Sequence, residues 1–207
     1  MINTIIFDIG MVLAHFRGRE MFQDMGLEGE DFDTIVNATI RNPWWNEFDR
    51  GLIPTEEIID IFSKDAPQFR KEISMIFEHP EQMVVMYDYT LPWIHELKER
   101  GYKIYALSNW SKPTYEACID NQLRFLKEMD GEIISFREHL LKPEREIYEL
   151  LCNRYQINPA EAVFLDDNPA NIEGAKAFGL HTIHFHNYEQ GRAELENILS
   201  ELDKKDC

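Results

Sequence analysis

Four places in the chain put chemically capable side chains directly after short apolar runs or, for Lys142, at the opening of a helix. Asp8 follows TIIF, Ser108 and Asn109 follow KIYAL, Lys142 follows FREHLL, and Asp166 with Asp167 follows AVFL. A carboxylate such as Asp8 is a nucleophile that can carry a covalent intermediate and divide one hard displacement into two easier ones. Asp166 and Asp167, brought near Asp8, would form a hard oxygen site suited to Mg²⁺, and crowded carboxylates favour a bound cation because they otherwise repel. Lys142 would offset the charge of a phosphoryl group and of Asp8. The Ser108 hydroxyl, with Asn109 beside it and nearby backbone N–H groups, could hold phosphate oxygens. Phosphoryl transfer asks for charge neutralisation and alignment, and this set offers both. Taken singly, each has an ordinary reading: a turn or cap acid, a first-turn acid of a helix, a solvated lysine, a Ser-Asn turn. Four such positions, in this order, point to one crevice.

The elements around them must bring those positions together. The stretch NTIIFDIGMVLAHF has the Ile/Val/Phe enrichment of a buried strand, broken at Gly10. From residue 17 to 88 apolar residues recur at helical spacing, Thr55 and two glutamates look like a helix start, and little reads as strand. This span is expected to be a helical insert. Residues 1–16 and 89–207 form the core domain. There, helix and strand alternate: a helix from Leu91 to Gly101, strands at Lys103–Leu107, GEIISF, AVFL and HTIHFH, a helix after Pro143, another after Asp167, and a charged terminal helix whose end should fray. Alternation of this kind predicts an α/β fold with a doubly wound parallel sheet. In such sheets the site lies outside the carboxyl ends of the strands, where Asp8, Ser108, Asn109 and Asp166 fall.

The 207 residues carry a formal net charge of −17, 38 acids against 21 bases. That surface repels nucleic acid and anionic membrane. It also repels phosphorylated small molecules at long range, so a site for one must create its own positive field from a metal, a lysine or helix N-termini. No apolar run approaches the length of a membrane span, and an acid inside the N-terminal apolar stretch argues against a signal peptide. Cys118, Cys152 and Cys207 are odd in number and widely spaced, as expected of reduced thiols in a cytoplasmic protein.

The motifs IIFDIGMVL, YALSNW, LLKPEREIY and VFLDDNPANIEGAKAFGL, in that order, resemble the four motifs of the haloacid dehalogenase-like hydrolase superfamily. The resemblance covers most of residues 1–185. It implies a Rossmann-like core, a small helical cap after the first strand, Mg²⁺, and a phospho-aspartate on Asp8 with Ser108 on the phosphate and Lys142 beside it. Within the superfamily the first and fourth motifs are similar to a phosphatase branch that includes α-D-glucose-1-phosphate phosphatase. The expected substrate is a small phosphorylated metabolite, with sugar phosphates among the candidates.

One position departs from the pattern. Most phosphatases of this kind have a second aspartate two residues after the nucleophile, which protonates the leaving oxygen and later activates water; this chain has Gly10. The resemblance still gives the Gly10 carbonyl a place among the metal ligands, with Asp8, Asp166 and Asp167. General acid–base help is worth about 10²–10⁴-fold, so its loss favours good leaving groups such as acyl phosphates or sugar-1-phosphates. His15, Glu47, Asp49 and Arg50 are the residues that could substitute. Two other classes stay open: a dehalogenase attacking carbon without metal, against which the Asp166-Asp167 pair speaks, and a catalytically weak binding or regulatory module, against which the intact Asp8 and Lys142 speak. Trp44 and Trp45 could close over a substrate or pack between insert helices. His184 and His186 share a face if HTIHFH is a strand throughout, as a second metal pair or a sheet-end pair with ordinary contacts.

Overall fold

The computed structural model describes residues 1–203, with side chains through residue 200; Cys207 and the charged end of the tail lie outside the described residues. Seven strands occur in chain order: β1 Thr4–Phe7, β2 Ala14–Phe16, β3 Val84–Met86, β4 Lys103–Ser108, β5 Gly131–Ile134, β6 Ala162–Asp166 and β7 His181–His184. Five are parallel in the order β5-β4-β1-β6-β7. Strand β1 lies in the middle, and all four of its residues are buried, which is why it reads as an unbroken apolar run. Leaving β1, the chain builds outward through β4 and β5, then crosses to β6 on the other side. The carboxyl ends of β1, β4 and β6 therefore flank the point where the winding reverses, and a ligand crevice opens at such a point.

Helices α1 Gly18–Asp24, α2 Gly29–Ala38, α3 Trp44–Asp49, α4 Thr55–Asp65 and α5 Arg70–Glu78 fall between β2 and β3. The core helices are α6 Thr90–Glu99, α7 Lys112–Cys118, the single turn α8 Ser135–Glu138, α9 Arg145–Tyr155, α10 Pro169–Phe178 and α11 Tyr188–Asp203. Strand alternation sorts the core into two layers. Ile6, Leu107 and Phe164 face one side and pack with Ile147, Tyr148 and Leu151 of α9. Ile5, Phe7 and Leu165 face the other, with Trp93 and Leu97 of α6 and Leu195 of α11. That second layer runs without interruption into the helical insert, through Phe22, Ile35, Phe62 and Ile73.

Two expectations need correction. The stretch NTIIFDIGMVLAHF is two strands, not one with a break. After Asp8 the chain reverses: the N–H groups of Leu13 and Ala14 both donate to the Ile9 carbonyl at 2.9 Å, and Met11 takes a left-handed φ of 58°. Residues 17–88 also contain a strand. Val84–Met86 pairs antiparallel with Ala14–Phe16, and a run of three gave too short a pattern to distinguish it from the end of a helix. The other differences are shifts of boundary: α9 begins at Arg145, so Lys142 sits in the loop ahead of it rather than opening the helix, and HTIHFH leaves the sheet after His184.

Candidate active site

Asp8 is the first residue past β1, and its N–H still donates to the Leu165 carbonyl at 2.9 Å, so sheet register fixes its backbone. Its Oδ1 is fully engaged. It accepts from the Ile9 N–H at 2.7 Å and the Ser108 hydroxyl at 2.6 Å, and lies 2.8 Å from the Lys142 ammonium. Oδ2 accepts no hydrogen bond from any described residue. The Ser108 hydroxyl, read from the sequence as a phosphate holder, here holds the Asp8 carboxylate.

Lys142 is held from both ends. Its backbone N–H donates to Asn109 Oδ1 at 2.8 Å, and Asn109 Nδ2 donates back to its carbonyl at 3.0 Å. The Asn109 side chain is thus engaged with the Lys142 peptide, although the residue borders the site. The ammonium, 1% exposed, lies 2.6 Å from Asp166 Oδ2 as well as against Asp8. Asp166 is saturated: Oδ1 accepts from the Asn168 N–H at 2.7 Å, and Asn171 Nδ2 reaches both of its oxygens at 3.1 and 3.0 Å. Asn168 also caps α10, its side chain accepting from the Ala170 N–H. Asn171 went unnoticed in the sequence because its bond back to Asp166 depends on the first turn of α10 closing over the end of β6.

Two carboxylates share one ammonium, and the electrostatics follow. Burial pushes the Asp8 carboxyl up to about 7, with Lys142 pulling it down and Asp166 pushing it further up. Burial, then Asp166, also raises Asp167. Burial works against the Lys142 charge, but Asp166 and Asp8 together hold its pKa above the ordinary lysine value. Asp8, Asp166 and Asp167 each offer an oxygen, all within 4.8 Å of one another. Oxygens around Mg²⁺ at ~2.1 Å stand about 3 Å apart when adjacent and about 4.2 Å when opposite. The set needs only a small inward movement, its donors are the hard oxygens this ion takes, and a cation would relieve the repulsion from Asp166 that adds to burial in raising Asp8 and Asp167. These residues fit the ion. His184 supports one of them, its Nε2 lying 2.9 Å from the Asp167 carbonyl, while the His184 and His186 rings pack at 4.2 Å.

Above Asp8 lies a chamber of about 190 Å³. Asp8, Gly10, Trp110 and Asp167 border it from the core, and Trp45 and Asp49 from the insert, with Phe16 of β2 also in the lining. The tryptophan pair divides: Trp45 borders the chamber and stacks on Phe62 at 5.9 Å, while Trp44 is 48% exposed. The four residues considered as replacements for a side chain at position 10 also separate. His15 bonds Glu20 at 2.8 Å, and Glu47 pairs with Arg50, which itself grips Glu144 through two bonds of 3.0 and 2.6 Å. Asp49 alone of the four borders the chamber; burial, then the charge of Asp8, raises its carboxyl well above the usual range.

The segment carrying Asp49 is fastened to the core. The Ser135 hydroxyl donates to the Asp49 carbonyl at 2.6 Å and accepts from the Trp110 N–H at 2.8 Å. His139 Nδ1 meets the Arg50 carbonyl at 2.9 Å. Gly51, at φ +80°, lies so close to Phe136 that a Cβ would sit 2.5 Å from its carbonyl oxygen. None of this was visible in the sequence, because each partner is roughly ninety residues away.

The comparisons agree with this architecture. The mouse protein Acyl-CoA dehydrogenase family member 10 is 29% identical over 95% of this chain, although the chain spans only 19% of that protein's length. Sesquiterpene phosphatase astK of Aspergillus oryzae is 26% identical, the match covering 88% of this chain and 89% of that one. Among solved structures, a HAD family enzyme of Bacteroides thetaiotaomicron in complex with magnesium and inorganic phosphate superposes with a TM-score of 0.68 at 23% identity, covering 88% of this chain and 93% of that one. The sequence model of haloacid dehalogenase-like hydrolases matches residues 2–179, and the chain belongs to that family.

Proposed function

We propose that the protein is a Mg²⁺-dependent phosphomonoester hydrolase of a small phosphorylated metabolite, working through a phospho-aspartate on Asp8. The observation that carries this reading is the buried Lys142 ammonium between Asp8 and Asp166, beside a third carboxylate, at the carboxyl ends of three parallel strands. Three acids, two of them paired with one lysine, form a cation site with room for a dianionic group, and the name of the fungal relative and the ligands of the Bacteroides structure point the same way.

Asp8, Asp167 and the Gly10 carbonyl would hold the metal, with Asp166 adjacent and oriented by Asn171. When bound, the ion would neutralise phosphoryl charge and keep the carboxylates ionised. Asp8 Oδ2, accepting no hydrogen bond from the protein, is the oxygen able to attack phosphorus; the three donors on Oδ1 hold the carboxylate in line. Lys142 offsets the charge of phosphate and nucleophile together, and Ser108 and the Asn109 backbone border the phosphoryl position. The helices of residues 17–88 act as a cap that excludes water. Its aromatic walls suit a compact leaving group with an apolar face, such as a sugar ring, which keeps sugar phosphates, glucose 1-phosphate among them, the first substrates to try. Buried free Cys118 and Cys152 fit a reducing compartment such as the cytoplasm.

The test is release of p-nitrophenol from p-nitrophenyl phosphate. Activity should require Mg²⁺, and Asp8→Asn should lower it by at least about 10⁴-fold, the scale on which removal of a covalent nucleophile acts. Turnover that survives in Asp8→Asn, or that proceeds unchanged in EDTA, would overturn the reading.

A further inference from the structure

Position 10 lacks a proton donor, and the structure shows what faces the gap. Asp49 ends α3, is 7% exposed, and borders the same chamber as Asp8, Trp45 and Trp110. Its carboxylate makes no hydrogen bond and no ion pair with any described residue. Burying an ionisable group without partners is costly, and here no side-chain contact offsets that cost. Structural acids elsewhere in the chain look different: Asp130 accepts from the Ile104 N–H and pairs with Lys98 and Lys103. Asp49 is held instead through its backbone. Ser135, His139 and the Arg50–Glu144 pair fix residues 49–51 on the core, next to the loop that carries Lys142. An unpartnered carboxyl group at the wall of a reaction chamber, on a fastened backbone, is the arrangement a proton-transfer residue needs.

We propose that Asp49 is the general acid and base of the reaction, supplied by the helical insert in place of the side chain absent at position 10. This rests on the phosphatase reading above. As the bond from Asp8 Oδ2 to phosphorus forms and the bond from phosphorus to the ester oxygen breaks, the Asp49 carboxyl gives its proton to that oxygen and the alcohol leaves. Water then attacks phosphorus and loses a proton to the Asp49 carboxylate. The Asp8–phosphorus bond breaks, inorganic phosphate departs, and both aspartates return to their starting forms. With a donor at Asp49, ordinary alkyl phosphates become substrates, and the bias toward good leaving groups expected from Gly10 disappears.

The experiment compares leaving groups. Asp49→Asn keeps the shape and removes the proton. In the presence of Mg²⁺ the variant should lose about 10²–10⁴-fold in kcat/KM on an alkyl phosphate such as glucose 6-phosphate. On p-nitrophenyl phosphate, whose leaving group departs unprotonated, kcat/KM should fall less than about tenfold, with the first-turnover burst of p-nitrophenol retained. A thermal melt should show Asp49→Asn at least as stable as the wild type, which separates lost chemistry from lost folding. Equal losses on both substrates, or none on either, with the wild type active on both, would overturn the assignment while leaving the phosphatase reading intact. A wild type inert on both esters would remove the reading and the assignment together.

Discussion

Two carboxylates face the same chamber and are held in opposite ways. Asp8 stands on the core, its Oδ1 bound by a backbone N–H, a hydroxyl and an ammonium within 2.8 Å. Asp49 stands on the insert, with its carboxylate unpartnered and its backbone fastened by side chains of the core. The difference matches the roles proposed for the two. A nucleophile must be aligned, so its partners grip the carboxylate. A group that gives and takes protons must not be locked into one charge state, so its position is fixed through the main chain.

The most severe way to break the comparison is Lys142→Met. It leaves Asp8 and Asp166 buried without their shared ammonium, and removing one partner of a buried ion pair costs about 3–5 kcal/mol. Phosphatase activity should fall at least about 10³-fold, and the melting temperature should drop by roughly 10 °C; a variant as stable as the wild type would show that the lysine does not hold the core half together. The contrast in sign is the sharp part, since Asp49→Asn is expected to leave stability level or higher.

Gly51→Ala attacks the other half. A Cβ at a φ of +80° is strained, and this one meets the Phe136 carbonyl oxygen at 2.5 Å. The Asp49 segment should lift from the core, lowering kcat on alkyl phosphates about tenfold while Mg²⁺ affinity stays within about twofold. A matching loss of Mg²⁺ affinity would mean that the two halves are not separable.

The smallest effect is on stability against pH. Asp8, pushed up to about 7, and Asp167 and Asp49, also raised, hold protons in the folded, metal-free protein that the unfolded chain releases near pH 4. The native state therefore binds more protons across this interval, and metal-free stability should decline as pH rises from about 4 through 7. Mg²⁺ binds the ionised acids, so the rise in melting temperature that it brings should grow over the same interval. Melts at pH 5, 6, 7 and 8 with and without MgCl₂ check this. A gain independent of pH would mean that the carboxylates are already ionised without the metal.

Much of the core half was legible because its signals are local. A central parallel strand must be apolar on both faces, so TIIF and AVFL declare themselves, and an acid directly after each can only lie at the strand's carboxyl end. Hence the sequence alone determined the α/β alternation and the gathering of Asp8, Ser108, Lys142, Asp166 and Asp167 at one edge of the sheet. It could not say what each bond would be: that Ser108 grips Asp8, that Asn109 clamps the Lys142 peptide, or that Val84–Met86 would pair with Ala14–Phe16. Nor could it choose among His15, Glu47, Asp49 and Arg50, four polar residues with no pattern to rank them. That choice was decided by tertiary structure, because it turns on which side chains find partners elsewhere. His15 found Glu20, and Glu47 and Arg50 found each other and Glu144, while packing of the insert on the core left the Asp49 carboxyl at the wall of the chamber with no hydrogen-bond partner among the described residues. Arg50 and Glu144, or Asp49 and Ser135, lie roughly ninety residues apart and leave no periodic trace in a chain; only closing the fold brings them within a hydrogen bond.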